Sequence, residues 1–293
     1  MKEKILEEFG YKVDLLTYHK KYISFFYNGY NYIVQNVNQT EEEIINLAKI
    51  VEYIEHYQIF FHEIVKGKNN YIFNYSNNNY VLLRLRICCN REITLNEILH
   101  LSSIDITKLD IPKVDFGQRI ANKIDFIEQY IANYEKNYAL EDLNYYLGLS
   151  ESAIELLNVL NVSTIAIGHK RLHRNERTLN FYNPLNIVLD NKCRDLAEYV
   201  KNSYFMHNED LMFEMLKYIK LQDWPFYFAR LLYPSYYFDC LEDIIIKNYE
   251  IKCQKKISIK ANDYEMNLKL LYNEIRKYIN LPFIEWLSDV NNF

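Results

Sequence analysis

At 293 residues, 49% of them hydrophobic, the chain is long enough for one large unit or two lobes with substantial cores. A net charge of −5 gives no global basic field, which argues against nucleic acid or an anionic membrane as partner and leaves local patches as the electrostatic clue. No stretch approaches the roughly 18 apolar residues of a membrane span. The N-terminus, amphipathic and acidic, has no apolar signal core. The expectation is a cytoplasmic chain with neither nucleic acid nor membrane as partner.

In chain order, Tyr22 to Tyr27 is aromatic and β-prone, Asn28-Gly29 is a hairpin turn signal, and Tyr30 to Val37 returns as a second strand. Thr40 then starts a helix. Glu43, three residues on, completes a capping box, and Ile44, Leu47, Ile50, Val51 and Ile54 follow helical spacing. Tyr71 to Tyr75 and Tyr80 to Ile87 read as strands around the polar turn Ser76 to Asn79. The order is strand, strand, helix, then more strands, with no βαβ alternation. From about residue 91 the pattern becomes helical. Thr94 with Glu97 forms another capping box, and amphipathic runs cover 115–136, 141–159, 193–206, 208–220, 222–232, 236–249 and 260–279. One extended insertion interrupts them, from Ile165-Ala166-Ile167 through a basic segment to Asn186-Ile187-Val188-Leu189-Asp190. The polar turn near Cys89 and Asn90 marks a boundary between a β-rich lobe (residues 1–90) and a helical lobe (residues 91–293). Six glycines and five prolines fit a helix-rich chain with short connections. The cysteines Cys88, Cys89, Cys193, Cys240 and Cys253 form no CxxC pair, which reads as a reduced, intracellular chain.

Three segments resemble the aminoglycoside phosphotransferase and choline kinase superfamily, in particular its spore-coat branch in endospore-forming bacteria. Ile167-Gly168-His169-Lys170-Arg171-Leu172-His173 is similar to the catalytic loop, usually His-Gly-Asp-Leu-His. Asn186 to Asp190, followed by Arg194-Asp195-Leu196-Ala197-Glu198-Tyr199, resembles the metal-binding Asp at a strand end and the helix start that buttresses the loop. The tail, Tyr264-Glu265 through Pro282-Phe283-Ile284-Glu285-Trp286-Leu287, is similar to the closing helices of the spore-coat proteins. The resemblance implies an α+β, protein-kinase-like two-lobed fold, with a small antiparallel-sheet N-lobe and a mostly helical C-lobe.

Phosphoryl transfer needs a Lys on the phosphates, Mg²⁺ held by carboxylate and amide, and a base for the acceptor hydroxyl. On this alignment the base falls at Arg171, whose guanidinium accepts no proton. The phosphate-anchoring Lys falls at the neutral Gln35. The turn over the phosphates, Tyr27-Asn28-Gly29-Tyr30, has one glycine among bulky neighbours. The metal-ligating Asn falls at Glu176, which could bind Mg²⁺; matching Asn183 or Asn186 instead requires an insertion. Asp190 alone sits where a metal carboxylate belongs, making Asp190 and Glu176 the cofactor-binding candidates and Asp190 the metal candidate. His169 and Asp195 are implied to support the loop.

Asp115-Phe116-Gly117 spells the protein-kinase metal motif but precedes the candidate loop by about fifty residues, so Asp115 reads as an N-cap. His169, Lys170, Arg171, His173, Arg174 and Arg177 form the densest basic cluster. It reads either as a pocket for phosphate, another anion or an acidic partner, with Lys170, Arg171 and Arg174 as its ligands, or as a solvated loop offsetting nearby carboxylates. His169 and His173 have helical metal spacing but no third ligand, and Ser102, Ser103 and Ser150 lack nucleophile-elbow glycines. The aromatic runs Trp224–Tyr227 and Leu232–Phe238 fit core better than a docking surface.

These residues imply a pseudokinase serving as a binding or structural component, with a protein partner and no cofactor, and the resemblance alone implies a place in spore-coat assembly. An active ATP-dependent small-molecule phosphotransferase with displaced groups, using Mg-ATP, is the first alternative. An unrelated helical protein-binding domain is the second.

Overall fold

The computed structural model describes residues 1–87, 89–109, 116–133, 143–159, 165–173, 175–247 and 252–288. In chain order the elements are α1 (Lys2–Phe9), β1 (Thr17–Tyr18), β2 (Tyr22–Tyr27), β3 (Tyr30–Asn36), α2 (Glu41–Glu55), β4 (Glu63–Val65), β5 (Ile72–Tyr75) and β6 (Asn78–Arg84). They continue with α3 (Leu95–Ser102), α4 (Phe116–Asn133), α5 (Leu143–Val159), β7 (Ile165–His169), α6 (Thr178–Phe181), β8 (Ile187–Asn191) and α7 (Arg194–His207). The last are α8 (Trp224–Leu232), α9 (Ser235–Lys247), α10 (Lys252–Arg276) and α11 (Glu285–Ser288).

The first of two units comprises Met1–Glu97, Ile104–Ile111 and Asn175–Val188. Its sheet runs β1-β2-β3-β6-β4 with β5 also on β6, all antiparallel. The β2–β3 hairpin closes at Asn28-Gly29, where φ of 47° and 85° supplies the left-handed turn that Asn-Gly favours. Alternation then sorts β3. Tyr32 and Val34 pack with Ile5, Phe25 and Leu82 on one face, while Ile33 packs on the other with Val37, Ile44 and Val81. Leu185, far along the chain, joins that second cluster. Helix α2 carries the expected capping box, with Thr40 N–H donating to Glu43 at 2.7 Å and Glu43 N–H to Thr40 Oγ1 at 3.3 Å. The expected strand 80–87 starts two residues earlier and ends at Arg84, and β1 and β4 are additions of two and three residues.

The second unit comprises Ile98–Ser103, Pro112–Arg174 and Leu189–Phe293. Its centre is α8, buried from Pro225 to Leu232 and packed by α5, α7 and α10. Two tyrosine hydroxyls reach in from this packing, Tyr227 to Met212 O at 3.1 Å and Tyr264 to Leu231 O at 2.8 Å. Tyr237 stacks on Tyr146 with centroids 3.7 Å apart, so most of the aromatic run is core. The amphipathic run 208–220 is not an α-helix, and only Glu214–Tyr218 forms a 3₁₀ turn. Asn208 takes φ 58° to cap α7, and Asp210 accepts the backbone N–H of Met212 at 3.0 Å, a local bond that competes with helix formation. The last long helix begins at Lys252 rather than near 260. Cys240 is disulfide-bonded, which corrects the expectation of five reduced thiols, whereas Cys89 and Cys193 are free. Asp115, the expected N-cap, lies outside the described residues.

One buried titratable group has a measurable consequence. His62 is fully buried in the first unit; Arg86 N–H points at its Nδ1 at 3.4 Å, and its Nε2 faces Leu179 O at 3.1 Å. Both bonds are made only by the neutral ring protonated on Nε2. Burial brings its pKa down to about 4, against a smaller upward pull from the Leu179 carbonyl. The unfolded chain therefore binds a proton that the folded chain refuses between pH 6.5 and about 4. Stability should be full above pH 6.5 and fall toward pH 4, by on the order of 3 kcal/mol from this residue. In urea denaturation against pH, His62→Gln should flatten that segment of the curve, and an unchanged slope would refute the assignment.

Candidate functional site

The β7 end and the α7 start are joined through two buried side chains. Asp195, in the first turn of α7, accepts the backbone N–H of His169 on Oδ1 at 2.8 Å, and its Oδ2 pairs with His169 Nδ1 at 2.6 Å. Both side chains are almost wholly buried. Gly168 makes the approach possible, because a Cβ there would lie 3.0 Å from Asp195 Oδ1 and 3.2 Å from Arg194 Cδ. The chain thus places a glycine and a carboxylate where a loop must sit close to a helix start.

Asp190 is the penultimate residue of β8 and is only 3% exposed. Arg194, one turn on, donates Nη1 to its Oδ2 at 2.7 Å, and Arg230, from the buried face of α8, donates Nη2 to its Oδ1. Burial pushes the Asp190 pKa up, but the charges of Arg230 and Arg194 outweigh it and hold the carboxyl below its ordinary range. Both oxygens of the candidate metal ligand therefore accept guanidinium hydrogens. Arg194 also donates Nε to His169 O at 2.6 Å and Nη2 to Lys170 O at 2.9 Å, so one side chain ties the loop backbone to Asp190.

Arg171, the residue expected at the base position, is half exposed and ion-paired with Asp239 of α9. It opens, with Lys170, Arg194 and Arg230, onto a cavity of about 190 Å³ in the second unit. Arg174 lies outside the described residues. Gln35 and Glu176 belong to the first unit. Gln35 Oε1 accepts a hydrogen from Asn183 Nδ2 at 2.9 Å, so the amide expected at the anchoring position is held by another amide. Glu176 is 9% exposed; its Oε1 accepts Arg177 N–H at 3.2 Å, and its Oε2 is buried with no hydrogen-bond partner among the described residues. His173 is exposed and contacts Asn202 at 3.3 Å, apart from the His169–Asp195 pair. Among the described residues, no group of three or more His, Cys, Asp or Glu side chains is arranged to hold a metal ion. Ser150 is buried and donates to Tyr146 O.

Sequence reasoning missed Arg194 and Arg230. Arg230 carried a readable signal: it is the one cation in Trp224–Leu232, a run otherwise apolar on every side, and a charge buried there requires a partner. Arg194, at the start of an amphipathic helix, reads as an ordinary surface cation.

A family described as "Spore coat putative kinase YutH" matches residues 125–271. The endospore coat-associated protein YutH of Bacillus subtilis is 27% identical over 185 residues, covering 51% of this chain; the match spans 52% of that relative's own length. Among solved structures, an aminoglycoside phosphotransferase from Alicyclobacillus acidocaldarius aligns with TM-score 0.62 at 10% identity, over 90% of this chain and 93% of that one. Amicoumacin kinase in complex with AMP-PNP and Ca²⁺ aligns with TM-score 0.55 at 11% identity, over 96% and 94% of the two chains. The AMP-bound spectinomycin phosphotransferase aligns with TM-score 0.54 at 12% identity, over 95% and 98%. The fold is the α+β, protein-kinase-like fold of these phosphotransferases.

The arrangement at Asp190 separates a structural carboxylate from a metal ligand. Asp190→Ala would remove the carboxylate that both Arg194 and the fully buried Arg230 are paired with. It should cost roughly 3–5 kcal/mol, read as a lower urea midpoint. Unchanged or increased stability is the outcome expected for deleting a vacant metal ligand, and it would overturn this account.

Proposed function

The chain belongs to the YutH family of spore-coat kinase-like proteins, and from that premise we propose that it is a pseudokinase serving as a binding or structural component of the spore coat. The observation that carries this reading is the Asp190 carboxylate held between Arg194 and Arg230. A Mg²⁺ ion coordinated there would sit against two fixed positive charges and would compete with a guanidinium for whichever carboxylate oxygen it took. Two further features support the reading. Arg171, always protonated, stands where the resemblance expects a base to accept the acceptor hydroxyl's proton, and a guanidinium accepts none. Gln35, already bonded to Asn183, offers no cation to a phosphate.

These residues do not fit Mg-nucleotide. What the site retains is architecture: the His169–Asp195 pair and the Arg194 tie fix the loop backbone independently of any reaction. The coat assignment follows the endospore coat-associated relative, and a protein partner in the coat is part of the proposal.

A second reading, an ATP-dependent small-molecule phosphotransferase with displaced groups, is favoured by one observation. The buried Oε2 of Glu176, without a hydrogen-bond partner among the described residues, is the kind of acceptor a cation would satisfy. The two readings diverge in a thermal-shift screen with ATP, GTP and ADP, with and without Mg²⁺, followed by a turnover assay. The pseudokinase reading expects no Mg²⁺-dependent shift and no nucleotide consumption above a buffer blank. Stabilisation by several degrees with turnover, abolished in a folded Glu176→Gln or Asp190→Asn variant, would replace it with the enzyme.

A further inference from the structure

The cavity beside Arg171 is strongly unbalanced in charge. Five of its lining side chains are cations, Lys123, Lys170, Arg171, Arg194 and Arg230, against two carboxylates. Both carboxylates are already engaged: Asp239 with Arg171, and Glu198 with the buried Lys201 at 2.7 Å. Adding Lys201 and Asp190, which lie against the lining residues, the count among the described residues is six cations to three carboxylates. The volume, about 190 Å³, is far above the roughly 10–15 Å³ that one water requires.

We propose that this cavity is a binding site for a phosphate monoester dianion. The inference deepens the pseudokinase reading and rests on it, giving the former catalytic loop a ligand in place of a reaction. Guanidinium forks match phosphate oxygens in pairs, and three arginines converge on this one cavity. Arg194 and Arg230 are held by Asp190 and the loop carbonyls, so their charges are preorganised and little freedom is lost when an anion arrives. Arg171 is the adaptable ligand. It is about half exposed at the rim, and its partner Asp239 is itself one-third exposed, so an incoming anion competes with one carboxylate for that guanidinium. The charge inversion at the base position, destructive for phosphoryl transfer, is constructive for holding a phosphate group.

Asp239 makes the proposal testable in both directions. In isothermal titration calorimetry of the full chain at low ionic strength, inorganic phosphate should bind at one saturable site. Arg171→Gln should weaken it roughly tenfold, the scale of a charge-assisted hydrogen bond, while Asp239→Asn should tighten it by releasing Arg171. Both positions are substantially exposed, so both variants should keep the wild-type circular dichroism spectrum. Lys217→Gln, an exposed lysine paired with Glu214, serves as the control and should leave affinity unchanged. Parallel titrations with O-phosphoserine separate a free anion from a phosphorylated side chain as the source. No saturable binding up to about 10 mM, equal losses in Arg171→Gln and Lys217→Gln, or indifference to Asp239→Asn would each overturn the inference. The same samples carry the Mg²⁺-nucleotide turnover assay. Absent phosphate binding with absent turnover removes this inference alone, whereas turnover removes the pseudokinase reading on which it rests.

Discussion

The arrangement of the second unit turns on one buried carboxylate shared by two guanidiniums. A charge in the interior is tolerated only when paired, and Asp190 is paired twice, by Arg194 one turn along the chain and by Arg230 from the central helix. That requirement fixes the end of β8, the first turn of α7 and the buried face of α8 with respect to one another. Because Arg194 also holds the carbonyls of His169 and Lys170, the path of the loop follows from the same constraint.

Phosphotransferase architecture and phosphotransferase chemistry draw on different residues. The fold depends on α8 and its aromatic neighbours, on the two faces of β3, and on a helix start packed against Gly168. None of these groups would touch a reacting atom. Side chains in the cleft can therefore change while the core is unaffected, which is how structures with about a tenth of their residues in common still superpose over nearly the whole chain.

Much of this was legible in the sequence wherever local chemistry is decisive. The Asn28-Gly29 hairpin follows from the need for positive φ, and the capping boxes at Thr40 and Thr94 from orphan N–H groups at a helix start. Illegible were features decided by distant partners. Strand β4 is three residues long and owes its existence to pairing with β6, and the run 208–220 is periodic yet loses to local bonds at Asn208 and Asp210. At the candidate site, the motif positions were readable because they are contiguous. Arg230 lies forty residues beyond Asp190, and Asp239 sixty-eight beyond Arg171, so their pairings exist only in the folded chain.

The first unit is not contiguous. Ile93 N–H bonds to Glu176 O, Thr178 N–H to Arg91 O, and Leu185 completes an apolar cluster otherwise built from residues 33–83. On the ribosome, the N-terminal sheet would emerge and wait. At about 5–20 residues per second, some seconds of synthesis separate residue 97 from the segment that finishes its core. Neither unit can be released by a single cut, and the sheet reaches its full stability only after most of the polypeptide has been made.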